Sequence, residues 1–259
     1  MTDSAQNTSQ QISYEKAKEF IRNAGAILFD LDGVITPTAE IHQLAWADMF
    51  SDYFEHKGVA AYTEEDYFTY LDGRRRDEGI AAILQSRGIS VPLGSEQDTA
   101  EEETIIGLGK RKNEDFLARV AQGVEAYPGS VELLDGLQGA GDSSSSQRPQ
   151  LAVVSSSKNA VPVLKAAGLR ERFVEVVDGV VAHDNHLPGK PAPDTFVFAA
   201  ENLGVAPRDA VVVEDAISGV QAGAAGAFGL VIGVDRGAGT EELSRAGADI
   251  VVKDLAELV

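Results

Sequence analysis

Residues 25–34 read GAILFDLDGV. The run Gly25–Leu31 is compact, apolar and too short for a stable helix, and acids close it. That pattern predicts a strand buried on both faces of a parallel sheet. Five similar runs follow, at Leu151–Ser155, Phe173–Val177, Ala210–Glu214, Leu230–Val234 and Asp249–Val252. Helical periodicity lies between them, around 130–139, 159–167, 192–203, 217–225 and 239–246. Strands alternating with helices predict an α/β fold whose parallel sheet is covered on both sides.

Working outward, Ile12, Ala17, Phe20, Ile21 and Ala24 predict a short amphipathic helix before the first strand. Between Pro37 and Gln122 the pattern changes. Ile41, Leu44, Ala45 and Met49 mark one helix, Ile80, Ile83 and Leu84 a second, and Glu101–Val120 a third. No strand is predicted there, so residues 37–122 read as a helical insertion into a core made of 1–36 and 123–259. Gly139–Pro149 (GAGDSSSSQRP) is a polar low-complexity loop.

Composition narrows the function. The 259 residues are 44% hydrophobic, enough for a sizeable core, and contain no cysteine. A disulfide scaffold, a thiolate metal site and a cysteine nucleophile are thereby excluded. The net charge of −19 argues against a nucleic-acid or anionic-membrane surface, which needs clustered positive charge. The polar start Met1–Gln11 does not read as a signal peptide, and no apolar run is long enough to span a membrane as a helix. The expectation is a monomeric cytoplasmic protein.

Ligands of open parallel sheets bind beyond the carboxyl ends of the strands. The first strand ends in Asp30-Leu31-Asp32-Gly33, which reads as paired carboxylates or as an ordinary turn. Glu214-Asp215 end another strand, either as acids at a solvated exit or as ligands of a cation. Carboxylates gathered in one crevice need such a cation, and Mg²⁺ suits them together with phosphate and water. Ser155-Ser156-Ser157 precede a helix, as a cap or as a phosphate cradle. Lys190, in GKPAPD, is either a solvated loop lysine or a cation aimed inward at an anion. Taken together, two acids, hydroxyls, a lysine and two acids describe a phosphoryl-transfer site.

The order DLDGVIT, VVSSSKN, GKPAPDTF and VVEDAISGVQAG across residues 30–223 resembles the four motifs of the haloacid dehalogenase superfamily. The stretches DLDGVITPTAEIHQLAW, LDGRRRDEGIAAIL, KRKNEDF and EAYPGS bring it closest to the β-phosphoglucomutase branch. The resemblance implies a Rossmann-like core with 37–122 as an α-helical cap. It implies that Asp30 is the nucleophile, Asp32 the general acid/base, and Ser155 and Lys190 the ligands of the transferring phosphoryl group. Mg²⁺ would be held by Asp30, the main-chain carbonyl of Asp32, Glu214 and Asp215. The substrate would meet Thr38, His42, Gly73, Arg76 and Lys112 from the cap side and Ser156, Ser157, Lys158 and Asn159 from the core. Asp72 stands where the glucose mutase pattern has lysine. Arg74 and Arg75 replace small residues, and Ser156 and Ala216 also depart from it. Without the resemblance, His42 and Trp46 read equally as helix packing, and Arg74–Arg76 as a solvated charge run.

Other motifs fail. Asp30-x-Asp32 lacks the remaining ligands of a calcium loop, GLGK and PGKP do not form a phosphate loop, and His183 and His186 read as solvated loop residues. The expectation is a β-phosphoglucomutase acting on a sugar phosphate. Its rivals are a sugar-phosphate phosphatase using the same site and a sugar-phosphate sensor without turnover.

Overall fold

The computed structural model describes residues 12–139 and 148–259. The polar stretch Met1–Gln11 and most of the serine-rich loop lie outside them. Six parallel strands form one sheet: β1 Ala26–Phe29, β2 Gln150–Val154, β3 Glu175–Val177, β4 Ala210–Glu214, β5 Leu230–Val234 and β6 Ile250–Val252. Their order is β3-β2-β1-β4-β5-β6, so the direction of winding reverses at β1.

The helices are α1 Tyr14–Asn23, α2 Thr38–Lys57, α3 Glu64–Asp66, α4 Arg76–Ser86, α5 Ile105–Val120, α6 Pro128–Gly139, α7 Ala160–Ala166, α8 Gly179–Asp184, α9 Asp194–Asn202, α10 Ile217–Ala225 and α11 Thr240–Ala246. The near-continuous apolar strands serve two cores. Ile27, Phe29, Val153 and Val213 face one, and Leu28, Ala152, Val154 and Val212 face the other, with Phe196 of α9. Alternate residues on opposite faces explain why no polar residue interrupts these strands.

A third apolar cluster lies within 37–122. Trp46, Met49, Phe50 and Phe54 of α2 meet Ile80, Ile83 and Leu84 of α4 and Leu108 of α5. The α2 aromatics stack, with Trp46–Phe50 ring centroids 5.5 Å apart and Phe50–Phe54 5.1 Å. No strand occurs among these residues.

The structure departs from the sequence expectation in a few places. The third insertion helix starts at Ile105, not Glu101, because the Thr104 hydroxyl accepts the Gly107 N–H at 2.9 Å and caps it there. Residues Tyr67–Leu71 form a wide turn that lets Asp72 N donate to Tyr67 O at 2.9 Å. Phe173 and Val174 precede β3 instead of starting it. His183 lies in α8 and not in a loop, because Asp178 caps that helix through the N–H groups of Val180 and Val181. Its ring is exposed and pairs with Asp184 at 3.1 Å.

Candidate active site

Strand register builds the floor of the site. Phe29 pairs with Val153 on one side and Val213 on the other, so Asp30, Val154 and Glu214 come next side by side. Asp30 N continues the ladder to Val213 O at 2.9 Å. Lys190 reaches all three strand ends from the loop before α9. Its Nζ donates to Asp30 Oδ1 and Glu214 Oε1, each at 2.5 Å, and to Val154 O at 3.2 Å. Burial opposes the ammonium charge, but the two carboxylates outweigh it and hold the lysine above its usual range. Burial pushes Asp30 well above the usual carboxylate range. Lys190 offsets this in part, while Glu214 and Asp32 add to it.

Asp215 has no such help. Burial, then Asp72, Glu214, Asp30 and Asp32, push it well above the usual carboxylate range. Among the described residues no cation pairs with its carboxylate. Two glycines admit these acids. A Cβ on Gly33 would fall 1.9 Å from Asp215 Oδ2, and one on Gly219 1.7 Å from Glu214 Oε1. Among the described residues no three acidic or histidine side chains are already closed around a metal position. The donors are nevertheless all hard oxygens, and among the described residues Lys190 alone is ion-paired with them. That excess of charge and donor type fit a small divalent cation.

Asp32 sits on the turn beyond β1. Gly33 has φ +87° and donates its N–H to Thr36 O at 2.7 Å, which reverses the chain. Arg236, stacked 3.8 Å over the Tyr127 ring, donates to Gly33 O at 3.0 Å and braces that turn. Asp32 Oδ1 accepts from the Thr38 hydroxyl at 2.5 Å and lies 3.5 Å from His42 Nε2. The Ser155 hydroxyl approaches Oδ2 at 3.4 Å. Burial works against this carboxylate, but His42, Thr38 and Lys112 outweigh it and hold its pKa below the usual value.

The insertion supplies the opposite wall. Lys112 is buried, and its Nζ donates to His42 Nδ1 over the rings of Trp46 and Phe116. His42 itself stacks on Phe116 at 4.0 Å. Burial and then Lys112 bring the imidazole pKa down to about 4, so the ring is neutral at pH 7. With Nδ1 accepting from lysine, the ring proton is on Nε2 and faces Asp32. Arg76 donates from Nη2 to Asn113 Oδ1 at 2.7 Å. Gly73 docks on the core, its carbonyl accepting from the Ser156 hydroxyl at 2.9 Å, with φ +66°. A Cβ on Gly73 would lie 2.3 Å from Ser218 Oγ.

Every residue selected from the sequence, except Thr38, Lys190 and Asn159, lines one cleft of about 800 Å³ including its mouth. Thr38 and Lys190 bond directly to Asp32 and Asp30, and Asn159 Nδ2 shares the Asn113 acceptor with Arg76, at 2.7 Å. The serines are bonded to one another's segment: Ser155 Oγ accepts from Ser157 N and Ser157 Oγ from Asn159 N, both at 3.1 Å. Lys158 is exposed at the mouth. Sequence reasoning did not select Asn113 or the Tyr67–Asp72 pair. Burial and then Glu214 raise Asp72 to about 6. The one signal for Asp72 was its departure from lysine.

The comparisons with known proteins agree with this geometry. A haloacid dehalogenase-like hydrolase family model matches residues 24–226. A β-phosphoglucomutase of Mycobacterium bovis is 45% identical over 247 residues, covering 90% of this chain and 91% of the relative. The crystal structure of β-phosphoglucomutase from Clostridium difficile superposes with a TM-score of 0.72 at 25% identity, over 91% of this chain and 93% of that one. CbbY from Rhodobacter sphaeroides, solved in complex with phosphate, gives 0.67 at 29% identity, over 91% and 96%. An α/β core with Asp30 at the switch point, a helical wall over it and relatives of this kind lead to one assignment: the chain is an enzyme of the haloacid dehalogenase-like hydrolase family, in its β-phosphoglucomutase-like branch.

Proposed function

We propose that this enzyme moves a phosphoryl group on a hexose phosphate through an aspartyl-phosphate at Asp30, as a β-phosphoglucomutase converting β-glucose 1-phosphate to glucose 6-phosphate through the 1,6-bisphosphate. Residues 37–122 act as the cap over a core of 1–36 and 123–259. The observation that carries this reading is the distribution of cations in the cleft. Lys190 lies on the floor beside Asp30, and Arg76 lies on the cap wall with no carboxylate paired to it among the described residues. A mutase needs both, because its bisphosphate intermediate carries one phosphate at each end.

In this mechanism an Asp30 carboxylate oxygen bonds to phosphorus as the bond from phosphorus to the sugar oxygen breaks. Asp32 gives its proton to that oxygen, and in the other half-reaction takes one from the attacking sugar hydroxyl. The lowered pKa keeps Asp32 a carboxylate at pH 7, ready for the proton-accepting half. Neutral His42, oriented by Lys112, and Thr38 hold that carboxylate in place. Ser155 and Lys190 hold phosphoryl oxygens, and Arg76, Ser157, Lys158 and Asn159 hold the phosphate that is not reacting. Mg²⁺, held by Asp30, the Asp32 carbonyl, Glu214 and Asp215, would neutralise charge on the transferring group when bound.

A second reading is a sugar-phosphate phosphatase, with water as acceptor. Asp72 favours it, since an acid beside Asp215 replaces a cation of the mutase pattern in the same cleft. The test is incubation with β-glucose 1-phosphate, Mg²⁺ and a trace of the bisphosphate, following glucose 6-phosphate and free phosphate together. Glucose 6-phosphate as the dominant product supports the mutase. Faster release of phosphate from glucose 6-phosphate than isomerisation of glucose 1-phosphate would replace it with the phosphatase.

A further inference from the structure

Arg76 is held in an unusual way for a half-buried arginine. Burial lowers its pKa, and the charge that acts the other way is Asp77, which is itself in an ion pair with Arg75. Arginines withdrawn from water are ordinarily matched by a carboxylate. Here the Nη2 partner is the neutral amide oxygen of Asn113, at 2.7 Å. The same oxygen accepts from Asn159 Nδ2, also at 2.7 Å. One acceptor thus joins α4, its own helix α5, and the core segment that follows β2.

Helix α5 is also shaped for the arginine's stem. Gly109 lies one turn before Asn113, on the same face. A Cβ at Gly109 would lie 3.0 Å from Arg76 Cδ, tighter than ordinary contact, and 3.6 Å from Cγ, in ordinary contact. The glycine therefore seats the methylenes and the asparagine seats the guanidinium. A carboxylate at position 113 would hold the same geometry more strongly, but it would neutralise the cation that faces the cleft.

We propose that Asn113, with Gly109, is the positioning residue of the anion site on the cap: it fixes Arg76 and Asn159 on a shared neutral acceptor and leaves the arginine's charge free for a substrate phosphate. This deepens the mutase reading and rests on it for the role of Arg76. It also means that the anion site is complete only while the cap wall meets the core segment carrying Asn159.

The discriminating variant is Asn113→Asp, compared with Asn113→Ala and Arg76→Ala. Glucose 6-phosphate is titrated into each protein while the fluorescence of Trp46, the chain's one tryptophan and a residue of the same cleft, is followed. Thermal unfolding is recorded alongside. Asn113→Asp should unfold no earlier than wild type, yet its Kd should rise about ten- to a hundredfold, the range for losing a bond to a charged partner. Asn113→Ala should lose about three- to tenfold, the range for a neutral bond. In an Arg76→Ala background, Asn113→Asp should add less than about threefold, because the two act as one unit. Equal affinity of Asn113→Asp and wild type would overturn the proposal, as would equal affinity of Asn113→Ala and wild type. Wild type that binds glucose 6-phosphate but does not isomerise β-glucose 1-phosphate overturns the mutase reading alone. Wild type with no affinity for glucose 6-phosphate overturns both.

Discussion

Replacing Lys190 with methionine keeps the volume of the side chain and removes its charge. In the wild type that one ammonium touches Asp30 Oδ1 and Glu214 Oε1 at 2.5 Å each, and all three groups are buried. Removing one partner of a buried ion pair costs roughly 3–5 kcal/mol, because the other charge is left without compensation. That is a large share of the roughly 5–15 kcal/mol that stabilises an ordinary domain. For a chain of this size it corresponds to a melting temperature lower by about 6–20 °C. The variant's stability should also depend on pH in a definite direction. Asp30 already has a raised folded pKa from burial, and loss of Lys190 raises it further. An acid whose folded pKa is raised binds its proton more tightly when folded, so its stabilising contribution is present in acid and lost as pH rises through the folded value. The deficit of Lys190→Met should therefore be larger at pH 8 than at pH 5. Urea unfolding at pH 5 and pH 8, followed by circular dichroism, measures it. Mg²⁺ should narrow the gap at pH 8, since a cation between the same carboxylates takes over part of the lysine's role. A variant as stable as wild type at both pH values would refute the view that Lys190 balances these acids. A deficit that grows on acidification would refute the assignment of charge.

Further expectations concern the acids and the turn. Asp30→Asn should lose activity by several orders of magnitude, the scale for a removed nucleophile, and wild-type turnover in it would exclude the aspartyl-phosphate. Asp32→Asn should slow turnover by about 10²–10⁴ while leaving Mg²⁺ affinity, read by calorimetry, within a few-fold of wild type; abolished affinity in a folded variant would make the side chain itself a ligand. Gly33→Ala places a Cβ 1.9 Å from Asp215 Oδ2 at a φ of +87°, so it should destabilise by more than about 1 kcal/mol and weaken Mg²⁺ binding measurably. Away from the site, burial opposes the Asp66 carboxylate, but Arg87 and Thr63 outweigh it and depress its pKa. Asp66→Asn should therefore cost about 1–2 kcal/mol at pH 7. That cost should vanish as pH falls from above the ordinary aspartate value of 3.8 through the lower folded one, as paired urea titrations would show.

The core could be read from the sequence because its strands are buried on both faces. That condition forces uninterrupted runs such as Ala210–Glu214, and acids at their ends become conspicuous. Register then does the rest: once Phe29 lies between Val153 and Val213, Asp30 and Glu214 must be neighbours. What periodicity could not supply were elements set by single side chains. Thr104 decides where α5 starts, Asp178 makes a helix of Gly179–Asp184, and the wide turn at Tyr67–Leu71 has no periodic signal at all.

The cap wall was harder to read for a different reason. Its groups act on one another before they act on a ligand. Lys112 looks like a cation for the substrate, yet its Nζ is committed to His42, and it acts on Asp32 both through its own charge and by orienting the imidazole. Asn113 looks like a polar surface residue beside three charged ones, yet it carries the contact that joins the cap to Asn159. Residue type and spacing show which charges a segment owns. They do not show which charges a neutral neighbour keeps free. On the floor, Lys190 faces carboxylates and is pinned by them; on the wall, Arg76 faces an amide. The two cations therefore differ in kind. In the proposed mechanism Lys190 sets the charge of the reacting centre whether or not substrate is present, whereas Arg76 gains a charged partner only when an anion arrives.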